Sequence, residues 1–162
     1  MKLFHKSKPD FEKAYTLYAD MLYRIALAYL RNGEDAADTV QDVFIKFMDK
    51  APSFNSESHE KAYLIKLTVN RSKDVLRKKS IRLHSPLEEA EDIFASFDTD
   101  ISDMLALLHS LDEKYKETII LHYLEGLSAE ETAKVLGISL SAVKMRLMRG
   151  REILRNALEK EE

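Results

Sequence analysis

The stretch GLSAEETAKVLGISLSAVKMRLMRGR, Gly126 to Arg151, leaves little freedom in how it can fold. Ser128 followed three residues later by Glu131 is a capping box, in which each residue can satisfy an orphan backbone N–H of the other. Ala133, Val135 and Leu136 give the short helix that follows an apolar side. Gly137 stops it, because a residue without a Cβ enters the left-handed C-cap conformation at little cost. Ile138 can plug the corner, and Ser139 is placed to cap a second helix.

That second helix has two faces. At about 100° per residue, Val143, Leu147, Gly150 and Leu154 share one side, and Ser141, Lys144, Met145, Met148 and Arg149 the other. The connection is too short for an antiparallel hairpin with a long loop. It suits a helix-turn-helix, whose second helix enters the DNA major groove by its N-terminus. Lys144, Arg146, Arg149, Arg151 and Arg155, opposed only by Glu152, supply the charge that phosphate contact requires. A solvated helix in an all-helical bundle would explain that charge. It would not explain a capping box, a glycine turn and a second cap falling in sequence.

At 162 residues the chain can hold one domain or two small ones. Four glycines and three prolines, with abundant Leu, Ala, Lys and Glu, favour an all-α protein. The absence of cysteine excludes disulfides and cysteine-ligated zinc and fits a cytoplasmic protein. His5, His59, His84, His109 and His122 are scattered and match no metal-ligand spacing. There is no phosphate-binding glycine loop and no nucleophile motif. The expectation is a protein with no catalytic residues, no metal and no cofactor. No apolar run is long enough to span a bilayer, and MKLFHKSKPDFEK has no apolar core of a signal peptide, so no membrane insertion is expected.

The net charge of −3 hides a strong alternation. From Lys61 to Arg82 eight basic residues face only Asp74, whereas Ser85 to Asp103 is purely acidic, with no Lys or Arg. Two basic surfaces joined by an acidic linker follow from this pattern. Before the linker, periodicity predicts three helices. The first runs from Phe11 to Leu30, with Ala14, Leu17, Tyr18, Met21, Leu22, Ile25 and Tyr29 as its apolar stripe, ended by Asn32-Gly33. The second has Glu34 and Asp35 at its start, an apolar set of Ala36, Ala37, Val40, Val43, Phe44 and Phe47, and Ala51-Pro52 at its close. A polar loop, Pro52 to Glu60, precedes a third from about His59 to Lys79, packed through Ala62, Ile65, Val69 and Leu76. After a stretch with at most a helical turn near Ile93 to Phe97, a helix is expected over Ile101 to Leu111. Another follows, capped by Asp112, with Tyr115, Ile119, Ile120, Tyr123 and Leu124 inward.

The whole chain resembles a sigma factor of RNA polymerase, from the extracytoplasmic-function group of the sigma-70 family. DAADTVQDVFIKF (Asp35 to Phe47) is similar to the region 2 helix that grips the polymerase clamp. AYLIKLTVNRSKDVLRKK (Ala62 to Lys79) resembles the helix that contacts the −10 element. LDEKYKETIILHYLEGLSAEETAKVLGISLSAVKMRLMRGREILR (Leu111 to Arg155) resembles region 4, which reads the −35 element. The departures are small: Tyr63 stands where the family usually has tryptophan, Asp112 where it often has proline, and Thr39 and Thr132 where larger apolar residues are usual.

The resemblance implies region 2 over residues 1–80, an acidic linker over 81–100 that threads the polymerase channel, and region 4 over 101–162. Asp38, Gln41 and Asp42 would face the polymerase clamp. The loop Phe54 to Ser58, with Asn55, would form a pocket for a flipped base beside Asn70, while Lys66, Lys73 and Arg77 follow the phosphates. On the helix-turn-helix, Ser141 would belong to the −35-binding face, Lys144 and Arg149 would lie at or near base edges, and Met145 and Met148 could touch thymine methyls. Arg146 and Arg151 would hold phosphates or acidic residues within the domain. Implied partners are core RNA polymerase, promoter DNA and an anti-sigma factor, and the polymerase does the chemistry. Two other readings would use part of this sequence. A mimic that only sequesters an anti-sigma partner needs no groove-facing Lys144 and Arg149. A free-standing repressor needs neither the Asp38, Gln41, Asp42 surface nor the −10 helix.

Overall fold

Asp10 opens the first helix: its carboxylate accepts the Lys13 N–H at 3.3 Å, so α1 runs Phe11–Leu30. The computed structural model describes residues 10–50, 52–82 and 106–160, and these are helical with no strand among them. α1 ends at Leu30 as its pattern predicts, but the residue that ends it is not the expected Asn32-Gly33 pair. Arg31 itself takes the left-handed conformation (φ 55°) and donates its N–H to Leu27 O. Asn32 then caps the next helix, its Oδ1 accepting from Asp35 N at 3.0 Å, so Gly33 begins α2 (Gly33–Lys50) instead of closing α1. Ser56 Oγ accepts from His59 N and starts α3, Glu57–Arg82, which is longer at both ends than its apolar pattern predicts.

The three helices pack on one another around Leu22, Ile25, Phe47, Leu64, Ile65 and Val69, all nearly solvent-free. Three sequence expectations change. Leu17 is 54% exposed. Thr39 is buried where Ala37 is not, because Thr39 lies closer to the centre of the stripe through Ala36, Val43 and Phe47. On α3 the core stripe runs through Leu64, Thr68 and Ser72, leaving Ala62 and Leu76 half-buried. Thr68 escapes an unmet hydroxyl by donating to Leu64 O at 2.8 Å.

The chain divides into two compact units, Met1–His84 and Ser85–Glu162. Of the linker expected over 81–100, residues 81–82 belong to α3 and the rest, with the turn near 93–97, lie outside the described residues, as does most of the helix expected over Ile101 to Leu111, of which 106–109 is seen. In the second unit α4 (Glu113–Ile119) follows Asp112, which occupies the cap position without a side-chain cap bond. The helix then widens into a π-turn, Ile120–Leu124, closed by Glu125 N donating to Ile120 O. The wider turn rotates the pattern: Leu121 is fully buried, while Tyr123 and Leu124, expected inward, are 48% and 42% exposed. The remaining helices are α5 (Ala129–Leu136) and α6 (Leu140–Lys160).

Candidate nucleic-acid interface

The turn between α5 and α6 is built as its residues dictate. Ser128 Oγ accepts from Glu131 N at 3.0 Å and Glu131 Oε1 accepts from Ser128 N at 3.2 Å. Gly137 is left-handed (φ 67°) and donates to Ala133 O. Ser139 Oγ accepts from Ala142 N at 3.1 Å. One support was not foreseen. His122 Nδ1 donates to Leu127 O at 2.7 Å, tying the π-turn to the residue before the capping box. No local sequence pattern signals it, because it depends on the π-turn in which His122 sits.

These caps fix the rotation of α6. Val143, Leu147 and Gly150 are buried and Leu154 half-buried, while Ser141, Lys144, Met145, Met148 and Arg149 stand exposed on the opposite side. Four of the basic residues of the helix, Lys144, Arg146, Arg149 and Arg151, divide accordingly. Arg146 is turned toward the domain and pairs with the buried Glu117 at 3.8 Å. Arg151 donates from Nε to Leu147 O at 3.3 Å and lies over the Tyr123 ring. Lys144 and Arg149 are exposed and make no ion pair among the described residues.

On the first unit, at about 100° per residue, Lys66, Asn70, Lys73 and Arg77 fall within one stripe of α3. Lys66, Asn70 and Arg77 are exposed and Lys73 is half-buried. The same stripe continues back to Tyr63 and His59, and there Phe54 sits, its ring 5.2 Å from each. Phe54 also stacks on Phe47 at 6.1 Å, which holds it half-buried. Phe54 and Asn70 are therefore on one side of α3 but not adjacent: from Tyr63 to Asn70 the helix rises about 10 Å. The stripe has an aromatic end and a basic end. Asn55 is exposed in the loop between, and Glu57 and Ser58, expected in that loop, belong to the first turn of α3.

Asp38, Gln41 and Asp42 are exposed on α2. Two residues passed over in the sequence share that surface: Ile45 (63% exposed) and Met48 (65%) follow Asp38 and Gln41 along the same side. Their spacing from Gln41 could have shown it, since both sit off the core stripe. Asp42 lies toward α3, where its Oδ2 accepts from Arg71 Nη2 at 3.0 Å and Nε at 3.2 Å. Between the helices lies a groove of about 510 Å³ whose lining includes Asp42, Ile45, Asp49, Leu67, Asn70 and Arg71.

Among the described residues no helix is long and apolar enough to cross a membrane. Residues 14–81 match the family model of sigma-70 region 2, and residues 101–154 that of sigma-70 region 4. The RNA polymerase sigma factor SigV of Bacillus subtilis is 33% identical over 144 residues, covering 86% of this chain and 86% of SigV. The ECF RNA polymerase sigma factor SigE of Mycolicibacterium smegmatis is 30% identical over 162 residues; the match covers 94% of this chain and 63% of SigE, so the chain spans less than two thirds of that relative. Among solved structures, the sigma factor RpoE from Bartonella quintana, in complex with the anti-sigma factor NepR, superposes with a TM-score of 0.75 at 25% identity, over 94% of this chain and 99% of RpoE. The helix-turn-helix, the α2–α3 pair and these likenesses run through the same residues, and the chain belongs to the sigma-70 family of RNA polymerase sigma factors, in its extracytoplasmic-function group.

Proposed function

We propose that this chain binds core RNA polymerase through α2 and directs it to promoters, with α6 reading the −35 element and α3 capturing the −10 element once its strands part. The single observation that carries the reading is the split among the basic residues of α6. Arg146 and Arg151 are engaged within the unit, while Lys144 and Arg149 are exposed and make no ion pair among the described residues, beside Ser141, Met145 and Met148. A helix held only by solvation has no reason to sort its charge this way. A duplex-reading helix needs donors at base edges and apolar atoms near thymine methyls on one face, with the other face occupied by its own core.

On α3, Asn70 offers a donor and an acceptor to a base edge. Lys66, Lys73 and Arg77 offer positive charge to the backbone of a single strand, and the Phe54, His59, Tyr63 cluster offers planes on which a base can stack. On α2, Asp38, Gln41 and Asp42 face basic residues of the polymerase, with Ile45 and Met48 adding apolar contact. The acidic stretch that follows α3, up to residue 100, threads the polymerase channel as a linker. The structure of RpoE in complex with NepR adds an anti-sigma factor to the partners we propose.

Transcription from a promoter library by core polymerase, with wild type and Arg149→Ala, tests the reading. Loss of about 1–3 kcal/mol confined to one or two −35 positions is expected. Equal weakening at all promoters would make Arg149 a phosphate contact, and no promoter-dependent transcription by the wild type would remove the reading altogether.

A further inference from the structure

Three cations of α3 are held in ion pairs. Arg71 is bound by Asp42, Lys79 by Asp35 and Arg77 by Asp74. Two of these three carboxylates come from α2, the helix read above as the polymerase-facing one. Asp42 is the pivotal residue. At about 100° per residue it stands at the α3 edge of the surface formed by Asp38, Gln41, Ile45 and Met48, so it borders both the polymerase-facing side and the groove beside Asn70. Its Oδ2 takes both bonds from Arg71. A carboxylate holding an arginine in that way is largely neutralised, and so is the arginine. Both side chains are partly exposed, 48% for Asp42 and 38% for Arg71. A competing cation on one side, or a competing phosphate on the other, can therefore reach the pair, and an exposed ion pair is weak enough to exchange.

We propose that Arg71 is a DNA-contacting residue held in reserve by Asp42. In the free chain the pair is closed and α3 presents less positive charge than its sequence contains. When basic groups of the polymerase take Asp42, Arg71 is released next to Asn70 and is available to a phosphate of the −10 strand. Polymerase binding and −10 binding then become coupled through one exchanged ion pair, and the coupling is reciprocal. This rests on the reading of α2 and α3 given above.

The test uses the full-length chain without polymerase and a single-stranded −10 oligonucleotide, with affinity measured over a range of salt. Asp42→Asn should raise affinity about two- to fivefold, the range spanned by an exposed ion pair. It should steepen the salt dependence by about one released counterion. Removing any acid near a nucleic acid raises affinity somewhat, so Asp49→Asn is the control. Asp49 lines the same groove and makes no ion pair among the described residues. Its gain should be smaller, with no change in salt slope. Adding Arg71→Gln to Asp42→Asn should abolish the gain. Equal gains for Asp42→Asn and Asp49→Asn, or a gain that survives Arg71→Gln, would overturn the proposal while leaving the role of α3 intact. If instead Lys66→Gln and Asn70→Ala bind the oligonucleotide as wild type does, the reading of α3 fails, and the reserve role of Arg71 fails with it.

Discussion

Gly150 shows how tightly α6 is seated. A Cβ built there would lie 2.6 Å from Ile119 Cδ1, with Tyr115 Cβ at 3.5 Å. Alanine is the better helix former by about 1 kcal/mol, but it would have to displace a buried isoleucine, and overpacking costs about 1–3 kcal/mol. The second effect wins. Gly150→Ala should lower stability by about 1 kcal/mol in chemical denaturation. Ile119→Val removes the obstructing methyl, so the double variant Gly150→Ala/Ile119→Val should recover most of the loss over Ile119→Val alone. Strict additivity of the two changes would show that Gly150 and Ile119 do not share the space argued here. Periodicity places Gly150 on the buried side of α6, but the atom it makes room for belongs to α4, and no local pattern names it.

Among the elements, the packing of α1 on α3 shifts the titration of two groups, Glu60 and Tyr18. Burial raises the Glu60 carboxyl above its ordinary value of 4.5, and Glu57 and Asp10 push the same way while Lys13 opposes them. Burial, then Glu60 and Glu57, likewise raises the Tyr18 phenol, which stays neutral. Because the folded Glu60 holds its proton more tightly than the unfolded one, the folded state binds more protons in the window between the two pKa values. Stability therefore falls as pH climbs from about 4.5 through the raised value, and the full penalty is present above it. Glu60→Gln should raise the unfolding midpoint at pH 7 and flatten the stability curve between pH 4 and 7, measured by thermal melts across that range. A curve as steep as the wild type's would place the titration elsewhere.

The same scale shows what could be read without coordinates. The helix-turn-helix is legible because each of its signals acts within four residues: Ser128 on Glu131, Gly137 on Ala133, Ser139 on Ala142. The α1–α2 junction misleads because Gly33 looks like a helix stop, whereas Asn32 caps α2 and Arg31 makes the turn. The inward set after Ile119 misleads because a π-turn breaks the period on which the expectation rests. The Asp42–Arg71 pair joins residues 29 apart on different helices and has no local signature at all.

At the scale of the whole molecule, the two units have separate cores, one centred on Phe47, Leu64 and Ile65 and the other on Leu121 and Val143, and on the reading proposed above each carries its own interface. A single DNA-binding module of this size buries roughly 600–1,000 Å² of protein surface, so neither unit alone has much area with which to hold a promoter. Covalent connection changes the arithmetic. Once one unit is bound, the other searches a small volume, at an effective concentration in the mM range for a linker that spans the sites. The chain's affinity then depends on the tether as much as on either surface. Expressing 1–84 and 85–162 as separate polypeptides tests this. Each should unfold cooperatively by itself, because each has its own core. Mixed at micromolar concentration with core polymerase, the two fragments should support transcription on the order of 100-fold more weakly than the intact chain. Raising both fragments toward millimolar concentration should restore much of the activity, since that replaces the lost effective concentration. A mixture as active as the intact chain at micromolar concentration would mean that the two interfaces act without the tether. A fragment that does not unfold cooperatively would mean that its core is not complete on its own.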